Sequence, residues 1–167
     1  TKQRDSALTI ESIYKDKEFK SDNIGQIRWL KDASGYTQLE DSPTKVKNQQ
    51  GKEISIGKDI IFYHPETLVR KVLVQAEKLM PTGSNTALEI DDYSWSHDRQ
   101  KLLVYTNSKK VWRSNSRGDY WLYDLNGEKL TQLGDGLATE SSLMFAKFSP
   151  NGKHIAYVFD NNIYIEE

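Results

Sequence analysis

The sequence contains no cysteine, which excludes a disulfide framework, a thiol nucleophile and a thiolate metal site, and leaves the redox compartment open. It also lacks an excess of either charge. The 23 basic and 24 acidic residues nearly cancel and lie interspersed, so the chain has no electrostatic footprint for nucleic acid or an anionic membrane. No apolar run approaches the roughly 20 residues needed to cross a bilayer. The polar start Thr1-Lys2-Gln3-Arg4-Asp5 has no signal-peptide core, and the chain as given is expected to be soluble. His64, His97 and His154 stand singly, without a second ligand at metal-binding spacing, so no metal is expected. Gly134-Asp135-Gly136 lacks the third glycine of a dinucleotide fingerprint and reads as a loop, and no cofactor is expected. No Gly-x-Ser-x-Gly elbow occurs, so no acyl-transfer nucleophile is expected within these residues.

What the chain does have is nine Tyr and four Trp, set largely among β-branched and turn residues, a mixture that favours sheet. It also repeats itself. Trp95-Ser96-His97-Asp98 aligns with Phe148-Ser149-Pro150-Asn151, and Lys101 to Tyr105 aligns with Lys153 to Val158. Each copy reads as strand, tight turn, strand. A further aromatic strand follows in both, Asp119 to Leu125 and Asn162 to Ile165. The first copy then turns at Asn126-Gly127 into a fourth strand, Lys129 to Leu133. An irregular earlier copy runs from Ile27-Arg28-Trp29-Leu30 through Tyr36 to Leu39, Lys58 to Tyr63 and Arg70 to Val74. Asp41 to Gly51 reads as a polar loop, and Thr9 is placed to cap a short helix that gathers Ile10, Ile13 and Tyr14 on one face.

Short antiparallel strands recurring every 40 to 50 residues or so are the pattern of propeller blades. The expected fold is therefore all-β: a partial β-propeller of fewer than three four-stranded blades, spanning roughly 24–80, 88–134 and an incomplete 143–167, behind a short N-terminal helix. A propeller typically closes with four or more blades, so the remaining blades are expected outside residues 1–167. Trp29, Trp95 and Trp121 are expected to fill the spaces between blades. Asp91-Asp92 reads as a turn-bonding pair rather than an acid and base, because neighbours on a strand point to opposite faces.

One segment breaks the repeat. Between its second and third strands the later copy has only Phe159-Asp160-Asn161, whereas the earlier one has Thr106 to Asp119. Insertions in repeats map to loops on one face, often the binding face. This one carries Lys109, Lys110, Trp112, Arg113 and Arg117, and can set a guanidinium beside an aromatic ring, suited to carboxylate or carbonyl recognition. A solvated basic loop is the plain alternative.

The ordered set Ile90-Asp91-Asp92-Tyr93-Ser94-Trp95-Ser96, Val111-Trp112-Arg113, Asp119-Tyr120-Trp121-Leu122-Tyr123-Asp124-Leu125 and Phe145 to Tyr164 resembles the N-terminal propeller of dipeptidyl peptidase IV-like serine peptidases, of the prolyl oligopeptidase clan. Leu8 to Tyr14 resembles that family's opening helix. The residues after Arg113, Ser114 to Gly118, resemble a bacterial-type member. The resemblance implies a two-domain exopeptidase that releases N-terminal Xaa-Pro or Xaa-Ala dipeptides, with its triad on an α/β-hydrolase domain absent from these residues. It further implies a peptide substrate, a homodimeric parent and a periplasmic or secreted location. Arg113, beside Trp112, matches the family's substrate-contacting Arg, and Arg117 is a second candidate for that role. Glu166-Glu167 lacks the Asp-Trp lead of the family's amine-binding glutamates and reads as strand-end charge. A non-catalytic propeller that binds proteins, or a related oligopeptidase or tripeptidyl peptidase, are the alternative readings.

Overall fold

The computed structural model describes residues 9–16, 19, 25–48 and 50–167. Among them the strands run, in chain order, β1 (Ile27–Trp29), β2 (Tyr36–Asp41), β3 (Lys45–Lys47), β4 (Glu53–Ser55), β5 (Lys58–Tyr63), β6 (Arg70–Val74), β7 (Asp92–Trp95), β8 (Lys101–Val111), β9 (Ser114–Asp124), β10 (Lys129–Gln132), β11 (Met144–Phe148), β12 (Ile155–Phe159) and β13 (Asn162–Glu166). They form antiparallel sheets of order β1-β2-β5-β6, β10-β9-β8-β7 and β11-β12-β13, with β3 and β4 paired as a separate two-stranded arm.

The middle sheet is buried on both faces, and its sequence shows why. Leu102, Leu103 and Val104 are consecutive and all buried, and successive strand residues face opposite sides. Leu102 and Val104 join Ile60, Val74, Leu79, Tyr93 and Tyr123 in a core against the first sheet. Leu103 joins Tyr120, Leu133, Leu143, Ile155 and Tyr157 in a second core against the third. Strand β9 divides in the same way, with Trp121 and Tyr123 packing on the first core and Tyr120 and Leu122 on the second. The aromatic run is thus a strand that serves two interfaces.

Polar ties fix how the sheets sit. The Thr37 and Tyr93 hydroxyls meet at 2.7 Å in the buried space between the first two sheets. Arg28 pairs with Asp92 at 2.5 Å and stacks over the Tyr93 ring. Asp32 pairs with Arg99 at 3.0 Å across the β1–β2 and β7–β8 turns, so those turns share one end of the molecule. Glu166 accepts from the Gly134 N–H at 2.8 Å and the Tyr157 hydroxyl at 2.6 Å, tying the third sheet to the second.

The aligned turns are geometric twins. The Ser96 hydroxyl donates to Asp98 and accepts the Lys101 N–H; the Ser149 hydroxyl donates to Asn151 and accepts the His154 N–H. In each, the Asp or Asn oxygen also accepts a backbone N–H two residues on, from Gln100 or Lys153. His97 is exposed in the first turn and His154 precedes β12. The β12–β13 turn closes on Asp160 and Asn161, both at positive φ, the backbone a two-residue hairpin requires.

Four expectations are corrected. The Asp41 to Gly51 segment is not a loop throughout, because β3 pairs there with β4. Alternation is too short across Lys45-Val46-Lys47 to signal a strand. The N-terminal turn is a single π-type turn, Glu11–Lys15; Thr9 accepts the Ser12 N–H as foreseen, but Ile10, Ile13 and Tyr14 are exposed rather than packed. Trp29 fills no interface and is 59% exposed on the edge strand β1, whereas Trp95 and Trp121 do pack on the first core. Glu166 is no idle strand-end charge but an inter-sheet acceptor. Leu8 and Ile24, which the expected helix and first unit include, lie outside the described residues.

Candidate functional site

The inserted segment of the middle sheet is not a loop but a ribbon. Strands β8 and β9 continue past the body of the sheet, keep pairing from Lys109↔Arg117 to Val111↔Ser114, and turn at Trp112-Arg113. The ladder reaches about 15 Å beyond Thr106 at the usual rise per residue. Its turn has neither Asn nor Gly, the residues that mark tight hairpins, and 107–118 lacks apolar alternation. The sequence therefore carried no signal for a hairpin. Trp112 takes the left-handed backbone itself, with φ 61°, a conformation unfavourable to a bulky side chain.

Two bulges aim the ribbon. Between Thr106↔Asp119 and Lys109↔Arg117, β8 has two residues where β9 has one. Asn107, at φ 49°, is the residue that turns there; a bulge of this kind bends the strand and adds twist. A second register shift, between Lys109 and Lys110, places the extra residue, Ser116, on β9.

The base is clamped from both sides. The Asn107 carboxamide donates to Asp119 at 2.9 Å and Glu140 at 2.8 Å. Asp119, buried, also accepts the Ser141 N–H at 2.7 Å, and the Ser141 hydroxyl donates to the Asn107 carbonyl at 2.7 Å. Gly118 and Leu143 exchange both backbone bonds at 3.0 Å. A Cβ on Gly118 would lie 2.4 Å from the Tyr105 ring and 2.8 Å from the Thr106 carbonyl, so only glycine fits. The Tyr105 hydroxyl donates to the Arg117 carbonyl at 2.8 Å, and Asp91 accepts the Ser108 N–H at 3.0 Å. Burial pushes the Tyr120 phenol up to about 12, helped by its neighbour Tyr105; Tyr105 is raised as well, by burial and then by Asp91 and Asp92.

These clamp residues, Asn107, Gly118, Asp119 and Ser141, were not singled out by sequence. The available signal was Gly118 beside Asp119 at the start of an aromatic strand, where a glycine otherwise weakens pairing. The three expected site residues sit on the ribbon as follows. Trp112 is 91% exposed at the tip, Arg113 is beside it and exposed, and Arg117 is exposed opposite Lys109. Arg113 and Arg117 form no ion pair with any described residue. Asp91 and Asp92 serve separate structural bonds, to Ser108 and Arg28. No group of three or more His, Asp or Glu able to hold a metal occurs among the described residues, and none of their helices is long and apolar enough to cross a membrane.

Residues 96–167, which include the whole ribbon, match the model of the dipeptidyl peptidase IV (DPP IV) N-terminal region. The similarity to that family is carried by this part of the chain. Dipeptidyl aminopeptidase B of Saccharomyces cerevisiae is 36% identical over 94 residues, 56% of this chain and 10% of that protein. Prolyl endopeptidase FAP of Mus musculus is 28% identical over 126 residues, 75% of this chain and 15% of that protein. The dipeptidyl peptidase 4 crystal structure from Porphyromonas gingivalis matches with a TM-score of 0.65 at 22% identity, over 96% of this chain and 20% of that one. The chain thus spans a small part of the DPP IV-type proteins it matches, and the last comparison carries the fold alone.

Proposed function

We propose that residues 1–167 are the N-terminal propeller portion of a dipeptidyl peptidase IV-like serine exopeptidase that releases N-terminal Xaa-Pro or Xaa-Ala dipeptides. The three stacked antiparallel sheets are its first blades, two of four strands and one with three, in units of roughly 24–80, 88–134 and 143–167. Their role in the parent is to gate access and position the peptide; the triad belongs to a hydrolase domain outside these residues, and the portion alone is inert.

The observation that carries this reading is the position of Trp112-Arg113. Within the segment that matches the DPP IV N-terminal region, the guanidinium stands at the tip of a clamped ribbon without an ion-pair partner among the described residues. An Arg in this state offers a fork of donors to peptide carbonyls or a carboxylate. Holding the ribbon base rigid lets that fork meet a substrate with little ordering cost. Arg113 is the proposed substrate ligand, with Trp112 flanking it and Arg117 as a second cation on the ribbon.

The test is Arg113→Ala in the full-length parent, assayed on a Pro-containing dipeptide amide. The expected result is a fall in kcat/KM of about tenfold or more, the loss of one positioning contact, with an unchanged fold. An unchanged kcat/KM removes the role from Arg113. Hydrolysis by residues 1–167 at the parent's rate would overturn the assignment of chemistry to another domain.

A further inference from the structure

The ribbon carries more charge than one carbonyl ligand requires. Between Asn107 and Gly118 stand Lys109, Lys110, Arg113 and Arg117, with no acidic residue among them. All four are exposed, and none forms an ion pair with a described residue. Lys109 lies directly opposite Arg117, and like charges facing each other across a ladder weaken it. The ribbon's own stability therefore does not account for this arrangement. The acids near its base do not account for it either. Asp119 is bonded to Asn107 and Ser141, Glu140 to Asn107, and Asp91 to the Ser108 backbone.

The rest of the molecule sharpens the contrast. Net charge over the whole chain is −1, so the cations are a local concentration and not part of a basic surface. They sit on a two-stranded projection with an exposed aromatic ring at its tip, and its base is fixed by a buried carboxylate and a backbone bridge. A small, rigid, cationic edge with one aromatic matches a short acidic peptide: carboxylates for the lysines and Arg117, apolar side chain for the ring. A nucleic acid would call for a broader positive surface.

We propose that the β8–β9 ribbon is a docking surface for acidic peptide segments, with Lys109, Lys110 and Arg117 taking carboxylates while Arg113 is left to the peptide backbone. As a statement of substrate class it rests on the proposed peptidase function; as a binding surface it can be tested without it. Carboxylates meeting exposed cations gain modestly each and are screened by salt, so the signature is a salt-dependent preference rather than tight binding.

The experiment measures anisotropy of a fluorescein-labelled glutamate-rich peptide, and of its glutamine-for-glutamate counterpart, titrated with the 167-residue chain at low and high salt. The expected result is about tenfold tighter binding of the glutamate peptide at low salt, shrinking at high salt, as screened surface pairs require. The K109Q/K110Q/R117Q variant is expected to lose the preference, and K109R/K110R to retain it. Near-UV circular dichroism of each variant reports whether the aromatic cores are intact. Equal affinity for both peptides, an undiminished preference in the glutamine variant with native circular dichroism, or equally tight binding of a single-stranded oligonucleotide would each overturn the proposal. Because no hydrolysis is measured, failure here leaves the Arg113 assay untouched, and failure of that assay leaves this surface standing.

Discussion

The two four-stranded sheets each carry an extension between their second and third strands, and the extensions part company at one residue. In the first sheet the β2–β5 ladder runs to Asp41↔Lys58 and then meets Pro43. Proline has no N–H to give, and around it only the backbone bonds from the Ser42 N–H to the Gly57 carbonyl and from the Ile56 N–H to the Thr44 carbonyl, both 2.9 Å, join the ladder to the separate β3–β4 arm. In the middle sheet the corresponding break falls at Asn107, which keeps its N–H and turns through a left-handed bulge, so β8 and β9 remain one ladder out to the tip. Both breaks hold an extra residue; the one with a proline interrupts its sheet, and the one that keeps its N–H only bends it. The arm's tip is closed by the Asn48 carboxamide, which accepts the Gln50 and Lys52 N–H groups, whereas the ribbon's tip presents Trp112 and Arg113 to solvent.

The sharpest way to break this contrast is at the glycines. Gly118→Ala would force a Cβ into the Tyr105 ring and the Thr106 carbonyl, and is expected to cost about 1–3 kcal/mol in urea unfolding, as overpacking does. Gly51→Ala on the arm meets no atom within 4 Å. It pays only for its φ of 74°, about 1 kcal/mol. Equal losses would mean that the ribbon base is no more constrained than the arm tip.

A smaller separation is expected at the clamps. Asp119→Ala leaves the buried Ser141 N–H without its acceptor and should lower stability by about 1–3 kcal/mol. Ser55→Ala removes a hydroxyl donating to the Ser42 and Gly57 carbonyls, with a loss of about 1 kcal/mol. The least effect is expected at the tip, where Trp112→Asn relieves a bulky residue of its left-handed φ. Thermal unfolding should then show stability unchanged or raised by a few tenths of a kcal/mol. A clear loss would show that the ring makes a contact the structure does not contain.

Legibility in the sequence followed periodicity. Strands β5, β6, β12 and β13 could be located because short runs of aliphatic and aromatic residues end in turn chemistry, as at Asp160-Asn161. The double burial of β8 was implicit in three consecutive aliphatics. The ribbon escaped because its turn is Trp-Arg and its strands are polar on both faces, so neither composition nor alternation separates it from a loop. Arg113 could be singled out by its context, but its clamp could not. Asn107, Asp119 and Ser141 are brought together by a bulge and by a sheet that begins more than twenty residues after Asp119, and no local pattern encodes either.

The twin Ser turns hold one further consequence. They share their geometry but not their chemistry, since one uses the Asp98 carboxylate where the other uses the Asn151 carboxamide. The Ser96 hydroxyl and the Gln100 N–H hold Asp98 below the usual carboxylate range. Its contribution is therefore present above that range and is lost as pH falls through its lowered value. Asn151 does not titrate. Acid below the usual carboxylate range, where Asp98 takes up its proton, should thus loosen the hairpin of the middle sheet before that of the third, with amide exchange rising at Gln100 and Lys101 while Lys153 and His154 stay protected. The molecule carries its own reference standard: a pair of hinges cut to one pattern, of which a single proton slackens only one.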